Sequence, residues 1–216
     1  MTDLSAFPVA KRWPAEHPDR LQLYSLPTPN GVKVSIMLEE TGLPYEVHLV
    51  DFGKGDQRTP EYLSLNPYGK IPAIIDPAGP GGKPLPLFES GAILLYLAEK
   101  TGKFMPTDPA ARYETLEWLF FQIAAMGPIF GQVGYFHKFA GREIEDKRPL
   151  HRYPRPTGLH NHGSEWTITG PAVALGCPIT NGPRLSSMKA SARRFDSWAS
   201  ATVLNTLIAV TVSSGA

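Results

Sequence analysis

The sequence predicts an α/β domain of order β-α-β then β-β-α, followed by the start of an all-helical domain. Three observations carry this. A strand, a helix and a second strand follow one another between Leu21 and Asp51. The stretch Asn66-Pro67-Tyr68-Gly69-Lys70-Ile71-Pro72-Ala73-Ile74-Ile75 and its echo Phe88-Glu89-Ser90-Gly91-Ala92-Ile93-Leu94-Leu95-Tyr96-Leu97 flank a glycine-rich hairpin. Asp108-Pro109 then opens a helix with apolar residues at helical spacing.

Taken in order, residues Met1 to Arg20 hold Pro8, Pro14 and Pro18 and read as an extended arm, a loose tail rather than a docked segment. Leu21 to Tyr24 is a short strand, and Pro27-Thr28-Pro29-Asn30-Gly31 a turn. Val32 to Thr41 is a helix: Val34, Met37 and Leu38 share a stripe, Glu39 and Glu40 lie outside it, and Gly42 closes it. Tyr45, Val47 and Leu49 alternate as a second strand running to Asp51. A loop from Gly53 to Gly69 holds a short helix near Pro60 to Leu65. Ile71 to Asp76 is the third strand, Pro77 to Lys83 its turn, and Leu85 to Phe88 the fourth, with Pro86 marking an edge. Gly91 to Thr101 is a helix ended by Gly102.

Asp108 caps the next helix, with Pro109 at its first position. Leu116, Leu119, Phe120 and Ile123 form one stripe, and Gly127-Pro128 kinks or ends the helix. A weaker helical segment near Ile144 to Tyr153 is interrupted by Pro149. Beyond Tyr153 the character changes. Among residues 154–216 only Glu165 and Asp196 are acidic, and no helical stripe persists until near the end. This tail is atypical, and reads as disordered, spliced on or out of frame rather than as a divergent domain.

Composition narrows the function. A chain of 216 residues, 42% hydrophobic, can bury a sizeable core. A net charge of +1 argues against nucleic acid. The single cysteine, Cys177, excludes a C-x-x-C redox pair. The apolar run Ala201 to Val212 is too short to span a bilayer. A cytoplasmic protein with no membrane partner is expected. The histidines His151, His160 and His162 lack metal-ligand partners at a credible spacing, so no metal is expected.

The candidate chemistry gathers in the two echoing stretches. A proline at the start of a strand cannot donate to the ladder. A cis Ile71-Pro72 bond would turn the Ile71 N–H and C=O out of the sheet, as a clamp for extended peptide backbone. Ser90 reads as the N-cap of the following helix, an anion site, and Glu89 beside it offers a carboxylate to an amine. Together these describe a small peptide with amino-acid character. At the first helix, Thr28 and Asn30 set side-chain donors beside the positive helix end. On its own that turn is an ordinary N-cap.

The N-P-x-G-K-I-P-A-I and F-E-S-G-A-I-L-L-Y-L pair resembles the glutathione transferase superfamily. Leu23-Tyr24-Ser25-Leu26-Pro27-Thr28-Pro29-Asn30-Gly31-Val32-Lys33-Val34 narrows the resemblance to the bacterial Nu class, which includes glutathione-dependent disulfide-bond oxidoreductases. It covers about residues 21–153. It implies a thioredoxin-like glutathione-binding domain at 21–103 and a partial all-α domain at 104–153, between the arm at 1–20 and the tail at 154–216. It implies glutathione as co-substrate, with Thr28 and Asn30 facing the sulfur as the catalytic pair. Asn30, Gln57, Lys70, Ile71, Pro72, Glu89, Ser90 and Arg152 are the implied glutathione ligands. A homodimer acting on a small disulfide or electrophile is implied as well. The favoured reaction is glutathione-dependent disulfide reduction. The alternatives are conjugation of electrophiles, a non-catalytic glutathione-binding or regulatory module, and an inactive truncated product.

Overall fold

The computed structural model describes residues 4–136, Arg148, and the strands Leu159–His162 and Glu165–Ile168. Four strands, β1 (Leu21–Ser25), β2 (Tyr45–Leu49), β3 (Ala73–Asp76) and β4 (Leu85–Phe88), form one sheet in the order β2-β1-β3-β4. β1 and β2 are parallel, as a β-α-β crossover requires. β3 runs antiparallel to β1 and to β4. This mixed sheet with helices is the expected thioredoxin-like arrangement. β1 and β3 are central and buried at every residue, whereas β4 is the edge that Pro86 marked.

The helices include α1 (Val9–Arg12), α2 (Pro29–Thr41), α3 (Pro60–Leu63) and α4 (Ser90–Thr101). α2 begins three residues earlier than the periodicity placed it, because Thr28 caps it and Pro29 holds its first position. It ends where expected, at Gly42 with φ 74°, and α4 ends likewise at Gly102 with φ 64°. α2 and α4 pack together. Leu23, Val34, Leu38, Ile74, Ile93 and Leu97 are fully buried.

One expectation is corrected, and two elements settle points that the sequence left open. The arm is not a loose tail: its described residues dock on the sheet domain. Leu4 and Val9 are buried in one cluster with Tyr24, Val50, Tyr62, Leu65, Ile71, Ala73 and Ile75, and Phe7, Trp13 and Ala15 pack against it. The Trp13 ring meets Tyr24 and Tyr62 edge-on, and its indole N–H donates to the Leu49 carbonyl at 3.1 Å. The Glu16 and His17 backbone N–H groups donate to the Glu46 carboxylate at 2.9 and 2.7 Å. Apolar anchors spaced among the prolines overcome the cost of ordering the arm.

β2 exists where alternation placed it, but the alternating apolar set faces outward: Val47 and Leu49 are 56% and 55% exposed. His48 is the buried residue, stacked on Tyr24 at 4.7 Å and hydrogen-bonded to the Gln22 Oε1 at 2.7 Å. Burial holds the His48 imidazole below its ordinary pKa, against the pull of Glu46 and Glu16.

Gly127-Pro128 does not end its helix. α5 (Pro109–Phe121) opens on the expected cap, with Asp108 Oδ1 accepting the Ala111 N–H at 2.9 Å. It runs through a π-helical turn, Gln122–Met126, into α6 (Gly127–Gly134). The Gly127 N–H reaches the Gln122 carbonyl across the widened turn, which makes room for a ring that cannot donate. Of the expected stripe, Leu119 is buried and Phe120 is 60% exposed. The chain divides into two compact units within α5, between Thr115 and Leu116. In the second unit β5 (Leu159–His162) and β6 (Glu165–Ile168) form an antiparallel pair. The helical segment expected near 144–153, apart from Arg148, and the rest of the tail lie outside the described residues.

Candidate functional site

The register brings four segments to one end of the sheet. Ser25, the last residue of β1, stands opposite Leu49, the last of β2. Tyr24 stands opposite Ala73, the first residue of β3, and Ala73 opposite Phe88, the last of β4. The segments that carry the expected site residues therefore leave from or enter at this one end of the sheet. Those residues are Thr28 and Asn30 after β1, the loop holding Gln57 after β2, Ile71 and Pro72 before β3, and Glu89 and Ser90 after β4. Arg152 lies outside the described residues.

Thr28 Oγ1 accepts the Gly31 N–H at 3.3 Å. That use leaves the hydroxyl proton to donate elsewhere, since a hydroxyl offers one donor and two acceptor sites. Asn30 is exposed as the second residue of α2, within its first turn. A Cβ on Gly31 would collide with the Leu26 carbonyl and the Ser25 hydroxyl. Only glycine lets the helix start this close to the end of β1.

The Ile71–Pro72 bond is cis, and the β3 ladder begins only at Ala73. The residue before the clamp is pinned. The Lys70 carbonyl accepts the Tyr62 hydroxyl and the Asn66 side-chain amide, each at 2.7 Å. Asn66 Oδ1 takes the Tyr68 N–H at 3.0 Å. The exposed Lys70 ammonium lies 5.5 Å from the Tyr68 ring centroid. Gly69, at φ 64°, sits so close to Gln57 that a Cβ there would lie 2.9 Å from its carbonyl. This contact brings the loop before Ile71 against Gln57. Gln57 Oε1 is buried with no hydrogen-bond partner among the described residues. A buried acceptor without a donor costs about 1–3 kcal/mol, so a ligand N–H is its natural complement.

Ser90 is not the N-cap of α4. It is the first helical residue, and the cap position belongs to Glu89 at φ 69°, ψ 111°, with no side-chain capping bond. A non-glycine residue at positive φ is uncommon and concentrates where a side chain must be aimed. Glu89 is exposed and Ser90 buried.

Lys33 did not stand out in the sequence. It is 3% exposed on α2, and burial lowers its ammonium to about 8, partly offset by the Glu89 carboxylate. One signal was available: Lys33 lies four residues before Met37, on the stripe of Val34, Leu38 and Thr41. Tyr24, set aside as strand core, is 1% exposed, and burial first, then Glu46, raises its phenol pKa. Among the described residues no cluster of side chains suits a metal ion, and no helix is long and apolar enough to cross a membrane.

Comparison with known proteins agrees with this geometry. The model of the glutathione S-transferase N-terminal domain matches residues 19–99. Disulfide-bond oxidoreductase YfcG of Escherichia coli (strain K12) is 52% identical over 126 residues, 57% of this chain and 58% of that protein. The chain thus spans less than two thirds of that relative's length. A glutathione transferase from Pseudomonas putida, solved with one glutathione disulfide per subunit, is 68% identical at a TM-score of 0.69, covering 70% of this chain and 66% of that one. A glutathione transferase from Burkholderia graminis, solved with two glutathione molecules per subunit, is 51% identical at a TM-score of 0.70. That match covers 100% of this chain and 96% of the relative. A fold, a set of strand-end motifs and a relative matched over nearly its full length agree: the chain belongs to the glutathione transferase family.

Proposed function

We propose that the protein reduces disulfides with the thiolate of bound glutathione. One observation carries the reading. The sheet end gathers a peptide clamp, a carboxylate and a helix start bearing Thr28 and Asn30, yet no cysteine lies between Leu21 and Thr101. The reactive sulfur must then arrive with the ligand. The Pseudomonas putida relative holds glutathione disulfide and the Burkholderia graminis relative holds two glutathiones. Room for two thiols is what disulfide exchange needs.

In this reading the first glutathione thiolate attacks one sulfur of the substrate disulfide. A glutathione mixed disulfide forms and the other substrate thiolate leaves. A second glutathione thiolate attacks the mixed disulfide at the glutathione sulfur, giving glutathione disulfide and releasing the second substrate thiolate. Two protons from the two glutathione thiols end on the substrate thiols. Thr28 and Asn30 donate hydrogen bonds to the thiolate. Lowering a thiol from pKa ~8.5 to ~6.5 raises its thiolate fraction at pH 7 from about 3% to about 75%.

Ile71, beside Pro72, and the Gln57 side chain hold the glutathione backbone, with Lys70 nearby. Glu89 and Ser90 hold the γ-glutamyl end. In this reading the chain divides into the arm at 1–20, the glutathione-binding domain at 21–103, a partial helical domain at 104–153 and an atypical tail at 154–216. The protein works as a cytoplasmic homodimer on a small disulfide, away from nucleic acid and membranes.

The test is turnover of a small mixed disulfide with glutathione against conjugation of a chlorinated nitrobenzene. The first reaction is expected to dominate. The reverse order of rates would assign the protein to conjugation instead.

A further inference from the structure

The loop that carries Gln57 is folded around one carboxylate. Asp56 Oδ2 accepts the Asp51 N–H at 2.9 Å, while the Asp56 N–H returns to the Asp51 carbonyl at 3.1 Å. The Thr59 hydroxyl donates to the Asp56 carbonyl at 2.8 Å. Asp56 is 5% exposed. Among the described residues, the group from outside this loop that bonds its carboxylate is the Arg12 guanidinium, on Oδ1. Arg12 is the last residue of α1, in the arm. Val9 is buried just before it, and Trp13 just after it donates to Leu49, where β2 runs into the loop. The guanidinium lies 5.2 Å from the Trp13 ring centroid. Gln57 follows Asp56 directly, so a backbone shift at Asp56 is passed on to the residue that carries the unpartnered Oε1.

We infer that Arg12 is a positioning residue for glutathione binding, holding Gln57 in place through the Asp56 carboxylate. The inference rests on the reading of Gln57 as a glutathione ligand. The docked arm is thereby part of the site without touching the ligand. Arg12 fits this role as a planar donor whose charge matches a carboxylate and persists at every working pH. Removing it leaves a buried carboxylate short of a partner, and the loop must rearrange to hydrate it.

The test is calorimetric titration of the full chain with glutathione, in wild type, Arg12→Met, Arg12→Lys, Gln57→Ala, the Arg12→Met/Gln57→Ala double variant, and Val9→Ala. Arg12→Met is expected to raise the glutathione Kd about fivefold. Arg12→Lys recovers part of the loss. In the double variant the Arg12 substitution adds nothing beyond Gln57→Ala, because its effect runs through Gln57. Val9→Ala loosens the arm that carries Arg12, so it lowers the melting temperature and raises Kd by no more than Arg12→Met does. Equal affinity in Arg12→Met and wild type overturns the inference and leaves the glutathione reading intact. So does an Arg12 effect that persists in the Gln57→Ala background, or a Kd that Val9→Ala raises more than Arg12→Met does. A wild type that binds no glutathione overturns the underlying reading and this inference together.

Discussion

In the proposed glutathione site, Asn30 and Glu89 should fail differently. Asn30→Ala removes a donor to the sulfur, where charge matters to the chemical step. Turnover at pH 7 is expected to fall about tenfold, with glutathione affinity within about twofold of wild type. The deficit should shrink as pH rises past the pKa of the free thiol; a constant deficit in the pH–rate profile would mean that Asn30 does not act on the thiolate. Glu89→Ala removes a charged partner from a remote part of the ligand. Its glutathione Kd is expected to rise about 10- to 100-fold by titration, in line with a charged hydrogen bond of ~1.5–3 kcal/mol. In the sequence, the proposed role of Glu89 was suggested by its carboxylate, whereas that of Asn30 came from the family resemblance. The backbone of Glu89 was not legible there, because a glutamate at φ 69° is imposed by the junction of β4 and α4. Lys33 was hidden for a similar reason: a lysine on a helix stripe is usually solvated, and only packing shows it buried beside Glu89.

At the scale of elements, two joints hold the sheet domain together. The first is the close start of α2 on β1. Gly31→Ala should force the helix away from Leu26 and Ser25, costing about 1–3 kcal/mol as overpacking does and shifting Asn30 with it. A variant with an unchanged melt and wild-type turnover would show that the joint can relax. The second is Asp76, at the end of β3. Its carboxylate accepts the Tyr96 hydroxyl at 2.6 Å, the Lys100 ammonium at 2.8 Å and the Ala78 N–H at 2.8 Å, tying β3 to α4. Burial pushes the acid upward, but the bonds to Lys100, Tyr96 and Ala78 outweigh it and hold the pKa below its ordinary 3.8. A carboxyl lowered in the folded state contributes stability that is present above its unfolded pKa and lost as pH falls through the folded one. The loss from this group therefore belongs below about pH 4. Asp76→Ala should cost about 3 kcal/mol at pH 7, as breaking a buried pair does, and flatten that acid limb in a melt series. An acid limb of unchanged steepness would assign it to other carboxylates.

For the whole molecule, the expected outcome is a cooperative melt that glutathione moves upward. A ligand at a hundredfold excess over its Kd stabilises the folded state by about 2.7 kcal/mol, or roughly 5–10 °C for a chain of this size. A melt that glutathione leaves in place would mean that the sheet-end site is not assembled as a binding site. The sequence by itself determined the order of elements from Leu21 to Gly102, both glycine stops and the edge at Pro86. Each of these depends on local rules: periodicity, capping, and the donor that proline lacks. Tertiary structure alone decided which face of β2 turns inward, since an edge strand can bury His48 once Gln22 and Tyr24 receive it. It also set a proline-rich arm into the core beside Tyr24 and Tyr62. Those outcomes depend on partners distant along the chain, and no local pattern of residues encodes them.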